Sequence, residues 1–299
     1  MTREGPCGRD LHPALMDASD PSPSISSETL EARLLDDPDD AAAWTAYTAR
    51  LLARNDPRGD LIVLESLAEN EVEHAWLTRV RAAWRPLWAD DCEWRHMFVV
   101  AATIRVDSRT DARRLADLLT DPLSRLLGRL RIVFGATARR ALGPIDDADF
   151  SRLRELRASY HARGNRIARA LVDQPALDLR TLDLRHSGLT DDGLIALATC
   201  RRLDKLRSLH LQHNRFTALG VAALAGSPTL AGLELLDLRH NAIGTAGAAA
   251  LAESPHLRAL TCLRLHAAEL GSAGVHALAT STALPRDLVR WWRAQDPTR

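Results

Sequence analysis

Lysine is all but missing from this chain: of 39 basic residues, Lys205 is the one lysine and the rest are arginine. Aromatic residues make up only 4% of the sequence, too few for a core built mainly on rings. Cysteine occurs four times, at 7, 92, 200 and 262, with no C-x-x-C, which argues against a zinc ribbon or a disulfide framework. No apolar run approaches the roughly 20 residues that cross a bilayer, so no membrane partner is expected. The opening stretch MTREGPCGRDLHPALMDASDPSPSISS has no apolar core for a secretory signal, and the expected location is cytoplasmic. Absent too are G-x-x-x-x-G-K-(S/T), G-x-G-x-x-G after a strand, H-E-x-x-H and G-x-S-x-G. Cys92 and His96 stand at helical spacing in a Trp-rich stretch and read as a packed thiol rather than a nucleophile and its base. The expectation is a protein with no enzymatic activity, no catalytic residue, no cofactor and no metal.

What is present is a repeat. LRTLDLRHSGLTDDGLIALA from Leu179, LRSLHLQHNRFTALGVAALA from Leu206 and LELLDLRHNAIGTAGAAALA from Leu233 align at a step of 27 residues. Leu182, Leu209 and Leu236 share one position, Leu184, Leu211 and Leu238 a second, and Leu189, Phe216 and Ile243 a third. A fourth copy follows with Leu260, Leu263, Leu265 and Leu270. The alternating L-x-L suits a short strand with one buried face. Asn214 and Asn241 are placed to bond the backbone that turns away from the strand. Gly193, Gly220 and Gly247 then open helices of small residues. One copy cannot bury its leucines alone, whereas stacked copies can.

The pattern L-x-x-L-x-L-x-x-(N/S/A)-x-(L/F/I) resembles the leucine-rich repeat family in its ribonuclease-inhibitor-like subtype. The resemblance covers about two-thirds of the chain once weaker copies are included. It implies an α/β fold: a right-handed solenoid with parallel strands on the concave side and helices on the convex side, used to hold another macromolecule. A second stretch, LLDDPDDAAAWTAYTARLLARNDPRGDLIVLESLA, is similar to a small all-α repeat-companion domain found before repeat arrays in many bacterial proteins. It keeps Asp37-Pro38, Asp40, Tyr47 and Asp56-Pro57-Arg58-Gly59-Asp60 of that pattern, and departs from it at Ala49-Arg50 and Asn55.

In chain order, residues 1–27 read as a disordered tail, 28–95 as the helical module, 96–280 as about seven repeats and 281–299 as a C-terminal cap. Ser27 and Asp40 are candidate helix caps. Trp76, Leu77, Val80, Trp84, Leu87 and Trp88 trace a helical stripe that reads as core. Counting back by 26 from Leu182 gives Leu156, Leu130 and Ile104 as strand centres, with 140–164 the least regular region and 135–150 a gap that suits a loop or a helix break. Leu288, Val289, Trp291 and Trp292 are expected to cover the last repeat. Formal net charge is zero, yet residues 1–95 carry 10 Arg against 19 Asp and Glu, so the repeats are basic by the same margin.

Side chains between the leucines form ladders across the strands, about 4.8 Å apart. One is expected to run Arg105, Arg131, Arg157, Asp183, His210, Asp237, Arg264, and the next Asp107, Val133, Ser159, Arg185, Gln212, Arg239, His266. A third runs Ser108, Phe134, Tyr160, His186, His213, His240, Ala267. Arginine and aromatic side chains on one face suit an acidic protein surface. The expected function is therefore a protein–protein interaction scaffold that binds on the concave face. The proposed contacts are Arg105, Arg131, Arg157, Phe134, Tyr160, Arg185, His186, His210, Gln212, His213, Arg239, His240, Arg264 and His266. With a single lysine and interspersed acids, nucleic acid is not the expected partner. Two alternatives remain open. Repeat proteins of this subtype include activators of small GTPases, for which Arg215 is the candidate. The acidic and basic halves also suit a closed monomer or a self-associating structural protein.

Overall fold

A computed structural model of the chain describes residues 25–68, 90–135 and 148–296, together with Ala75 and Arg79. The Trp76–Trp88 stripe, most of the 135–150 stretch, Cys7 and nearly all of the expected tail lie outside the described residues.

The described residues open with three capped helices. Ser26 caps α1 (Ser27–Asp36) by accepting the Thr29 N–H, one residue earlier than the sequence suggests. Asp40 caps α2 (Ala41–Ala53) through Ala43, and Asp56 caps α3 (Pro57–Leu67) through Arg58, with Pro57 in the first turn. The Asp-Pro-Arg-Gly run has a physical reason. Arg58 bonds Asp56, donates to the Pro122 carbonyl and lies over the Phe98 ring. A Cβ at Gly59 would come within 2.9 Å of the Leu52 backbone nitrogen, so only glycine lets α3 close on α2. Leu30, Leu34, Trp44, Tyr47, Leu51 and Ile62 form a core that also takes in Phe98, Val100 and Leu126 of the following segment.

Asp91–Arg95 is a strand, β1, antiparallel to β2 (Phe98–Val106), where the sequence reads as helix. Cys92 and His96 thus belong to a hairpin, not to one helix turn. The apolar run Phe98–Val100 decides this: all three side chains are buried, split between the helical core and the repeat core. From β2 onward the sheet is parallel through β3 (Arg129–Phe134), β4 (Glu155–Ser159), β5 (Thr181–Asp183), β6 (Ser208–His210), β7 (Leu235–Asp237) and β8 (Cys262–Arg264), in sequential order. Leu130, Leu156, Leu182, Leu209, Leu236 and Leu263 stand in register. The residue opposite Leu130 is Ala102, not Ile104; Ile104 pairs with Ile132. The first step is thus two residues longer than expected. A shift of two keeps every side chain on its face, so the apolar pattern alone does not reveal it.

Helices α4 (Arg109–Thr120), α5 (Gly164–Val172), α6 (Asp191–Thr199), α7 (Ala218–Ala225), α8 (Gly244–Ala252) and α9 (Ala267–Thr280, broken at Gly271) link the strands from the opposite side. Helices need about 8–10 Å of spacing and strands about 4.8 Å, so the sheet takes the inside of the curve. One core runs from Val99 to Trp292. Asn214 ties two copies together: its Oδ1 accepts from Ser187 and Leu189, and its Nδ2 donates to the Leu184 and Leu211 carbonyls. Asn241 repeats the pattern, accepting from Asn214 and donating to Leu211 and Leu238. A second tie was not read from the sequence. Ser227, Ser254 and Ser281, each 27 apart, donate their hydroxyls to Ala198, Ala225 and Ala252 of the preceding copy. Helix α10 (Arg286–Arg293) closes the array with Leu288, Val289 and Trp292 buried, while Trp291 is 52% exposed and does not join the cover.

The candidate interface on the strand face

The short strands hold one residue inward and its neighbours outward, so the exposed lattice follows from the leucine positions. Its central row is Thr103, Arg131, Arg157, Asp183, His210, Asp237 and Arg264. Arg105 is not in it. Arg105 sits opposite Val133, in the row that continues through Ser159 and, by repeat position, Arg185, Gln212, Arg239 and His266. Asp107 and Ser108 move off the face with that shift, and Ser108 instead caps α4.

Most charges on this face are matched within their own repeat. Arg185 holds Asp183 at 2.5 Å and Arg239 holds Asp237 at 2.7 Å, with both carboxylates buried. Burial pushes the Asp237 carboxyl up, but the hydrogen bonds and charge of Arg239 outweigh it and hold the group below the usual carboxylate range. Arg264 stands 3.9 Å from Asp237. Arg157 pairs with Glu155, and Arg129 with Glu93 at 2.7 Å. Arg131 is exposed and, among the described residues, has no ion-pair partner. Beside it lies an open hollow lined by Asp91, Glu93, Arg129, Arg131, Glu155 and Arg157. A guanidinium there can meet a carboxylate with two parallel hydrogen bonds.

Two expected contacts are corrected. Phe134 is 8% exposed and belongs to the repeat core, with its ring 4.4 Å from that of His161. An aromatic at the end of a strand found apolar cover there instead of facing out. Gln212 is also 8% exposed, and among the described residues its Oε1 has no hydrogen-bond partner. His210 is half-buried beside Ser208, and burial lowers its pKa. Arg215, exposed on the loop after β6, lies outside this lattice.

At the edge of the face the loop residues form a stack. Tyr160, His186, His213 and His240 take left-handed backbone, with φ from +50° to +61°. Such angles are uncommon outside glycine, so a repeated backbone turn sets where the rings point. Ring centroids lie 4.7, 4.1 and 3.9 Å apart at interplanar angles of 14°, 14° and 17°. His266 adds a tilted ring at 4.3 Å, its Nε2 3.0 Å from Nε2 of His240. Glu269, overlooked in the sequence because it comes from the next repeat's helix, stands 3.4 Å from His240 Nδ1 and accepts the His240 backbone N–H. Tyr160 is 64% exposed. Parallel rings aim their nitrogens side by side rather than at one point, which suits a strip of hydrogen-bonding edges.

Leucine-rich repeat family models match residues 204–261 and 178–198. No curated protein matches the chain. Among solved structures the chain is similar to Leiomodin-1 Actin-Binding Site 2 (ABS2), at 17% identity over 52% of this chain and 90% of that one, with a TM-score of 0.34. No described helix is long and apolar enough to cross a membrane. The sequential parallel sheet, the helix after each strand and the repeats matched within residues 178–261 give an α/β solenoid of the leucine-rich repeat type, with a helical region at its N-terminal side.

Proposed function

We propose that the protein is a non-enzymatic, cytoplasmic interaction scaffold whose strand face, the concave side of the solenoid, holds a protein partner through that partner's carboxylates. Leucine-rich repeat domains commonly mediate protein–protein interaction, and the repeats matched at residues 178–198 and 204–261 support this reading. In this reading residues 28–95 are a module of the repeat-companion type. Residues 96–280 are a ribonuclease-inhibitor-like array, and 281–299 its cap. The observation that carries the proposal is Arg131, exposed beside the hollow and without an acidic partner among the described residues. Desolvating a guanidinium against a carboxylate at such a position supplies both affinity and register.

The test is affinity capture from extract of the source cells with wild type and with Arg131→Glu/Arg157→Glu. A protein held by wild type and lost by the double variant, at unchanged thermal midpoint, is the expected result. Equal capture by both removes this face as the working surface. The charge asymmetry of the chain favours a closed monomer as a second property. Asp36 pairs with Arg154 and Arg180, each at 2.6 Å, and Glu31 pairs with Arg125 at 3.0 Å, so the acidic helices meet basic repeats of their own chain.

A further inference from the structure

We propose that the Tyr160–His186–His213–His240 stack is a proton-linked docking strip for an acidic polypeptide: it takes up protons as it binds carboxylates. The inference rests on the strand-face reading above and adds its chemistry and its regulation. Three imidazoles lie face to face at about 4 Å, well inside the roughly 8 Å over which salt screens charge. Imidazole gains its proton just below neutrality. The first proton on the stack raises the cost of the next, because each ring's neighbours are rings of the same kind. His213, in the middle, shows the effect: lost hydration and then the flanking His186 and His240 hold its pKa below the ordinary imidazole value, against the pull of Glu269.

The other charged groups at the strip do not relieve this repulsion. Arg185 and Arg239 flank it as cations, and each is matched to a buried aspartate rather than to a ring. Glu269 bonds at the His240 end, and its pull on His213 is outweighed there by lost hydration and the two flanking rings. At that end one of the two Nε2 atoms of His240 and His266 must carry a hydrogen and the other a lone pair, so a second proton there breaks the contact. The strip therefore charges fully only when anions lie along its edge, and anions bind best when it is charged. Tyr160 ends the row with an exposed hydroxyl that can donate to the same ligand. Carboxylates on a flexible chain can space themselves clear of Glu269, whereas a dense phosphate backbone would meet that acid as well. The repeated left-handed backbone holds the rings in place without ligand, so binding does not have to order them.

The probe is a short fluorescein-labelled oligo-aspartate peptide, whose carboxyls stay ionised across the range used, titrated against the full chain at about pH 8 and about pH 5.5. Wild type is expected to bind about tenfold tighter, or more, at the lower pH, as uptake of one or more protons requires. His186→Asn/His213→Asn/His240→Asn keeps a residue type that tolerates left-handed backbone, and is expected to bind with little pH dependence. Imidazole proton shifts of wild type, followed by NMR with and without peptide, should rise in apparent pKa on binding, which tests the linkage even if the triple variant fails to fold. Three results overturn the proposal while leaving the strand-face reading intact. These are wild-type binding that does not change with pH, a folded triple variant that keeps the full pH dependence, and an oligothymidylate that binds as tightly as the peptide. Absence of peptide binding at both pH values overturns the proposal and the strand-face reading together.

Discussion

Asn214 does the work of several backbone groups. Its amide satisfies N–H groups of Ser187 and Leu189 and carbonyls of Leu184 and Leu211, all in the interior. Asn214→Ala strands these groups without water, and is expected to cost about 3 kcal/mol in urea denaturation, since each unmet buried group costs about 1–3 kcal/mol. A loss below about 1 kcal/mol would show that water replaces the amide. His161 offers a test in pH. Burial drives its pKa down to about 4, against the Ala158 carbonyl, which favours the charged ring, and with Arg163 acting in the same direction as burial. The folded value lies below the ordinary 6.5, so the unfolded chain binds the proton first. Stability is therefore expected to fall as pH drops from about 6.5 towards 4, with a shallower slope in His161→Asn. An equal slope in both proteins rules His161 out as a source. At this scale the leucines and Asn214 were legible because a fixed period of 27 repeats them. Phe134 and Gln212 were not, since the same ladder position is exposed in one repeat and covered in the next.

The helix α1 is fastened to the array by an ion network rather than by apolar contact alone. Arg154, buried, reaches Asp36 at 2.6 Å and Asp178 at 2.8 Å; Asp36 also holds Arg180, and Asp178 holds Lys205. Arg154→Met removes the central cation and leaves two carboxylates partly covered. The expected loss is about 2 kcal/mol, reduced from the usual cost of breaking a buried pair because Arg180 and Lys205 remain. Hydrogen exchange should quicken first in α1; unchanged α1 exchange would mean that the apolar core holds the helix without the network. The repeat elements themselves could be read from the sequence, because alternation and small-residue helices follow each other at constant spacing. The β1–β2 hairpin could not. Asp91–Arg95 alternates polar and apolar over only five residues, too short a run to stand out beside the Trp-rich stretch before it, and its pairing depends on the apolar Phe98–Val100 that follows. The step from β2 to β3 is two residues longer than the period of the next repeats, which takes Arg105 out of the row where that period places it.

Across the whole molecule, the period dictates a sheet on one side and helices on the other, and the chain's charges sort onto different parts of that frame. The acidic N-terminal helices meet Arg125, Arg154 and Arg180 at the near end of the array. The strand face keeps Arg131 and the ring stack open. A periodic sequence names the positions on a face but not the partner, since what the ladders hold is set by which arginines their own aspartates already occupy. The measurement that bears most directly on the scaffold account is the affinity of the captured partner for three forms of the full chain. These are wild type, Arg131→Glu/Arg157→Glu on the strand face, and Arg201→Glu/Arg258→Glu, an equal charge change at exposed positions beyond the strands. The account predicts about a hundredfold loss for the first double variant, as expected for contacts near the centre of an interface, and a change within about twofold for the second. Equal losses in both would reduce the effect to net charge, and loss in the second alone would move the partner to another surface; either result contradicts the account.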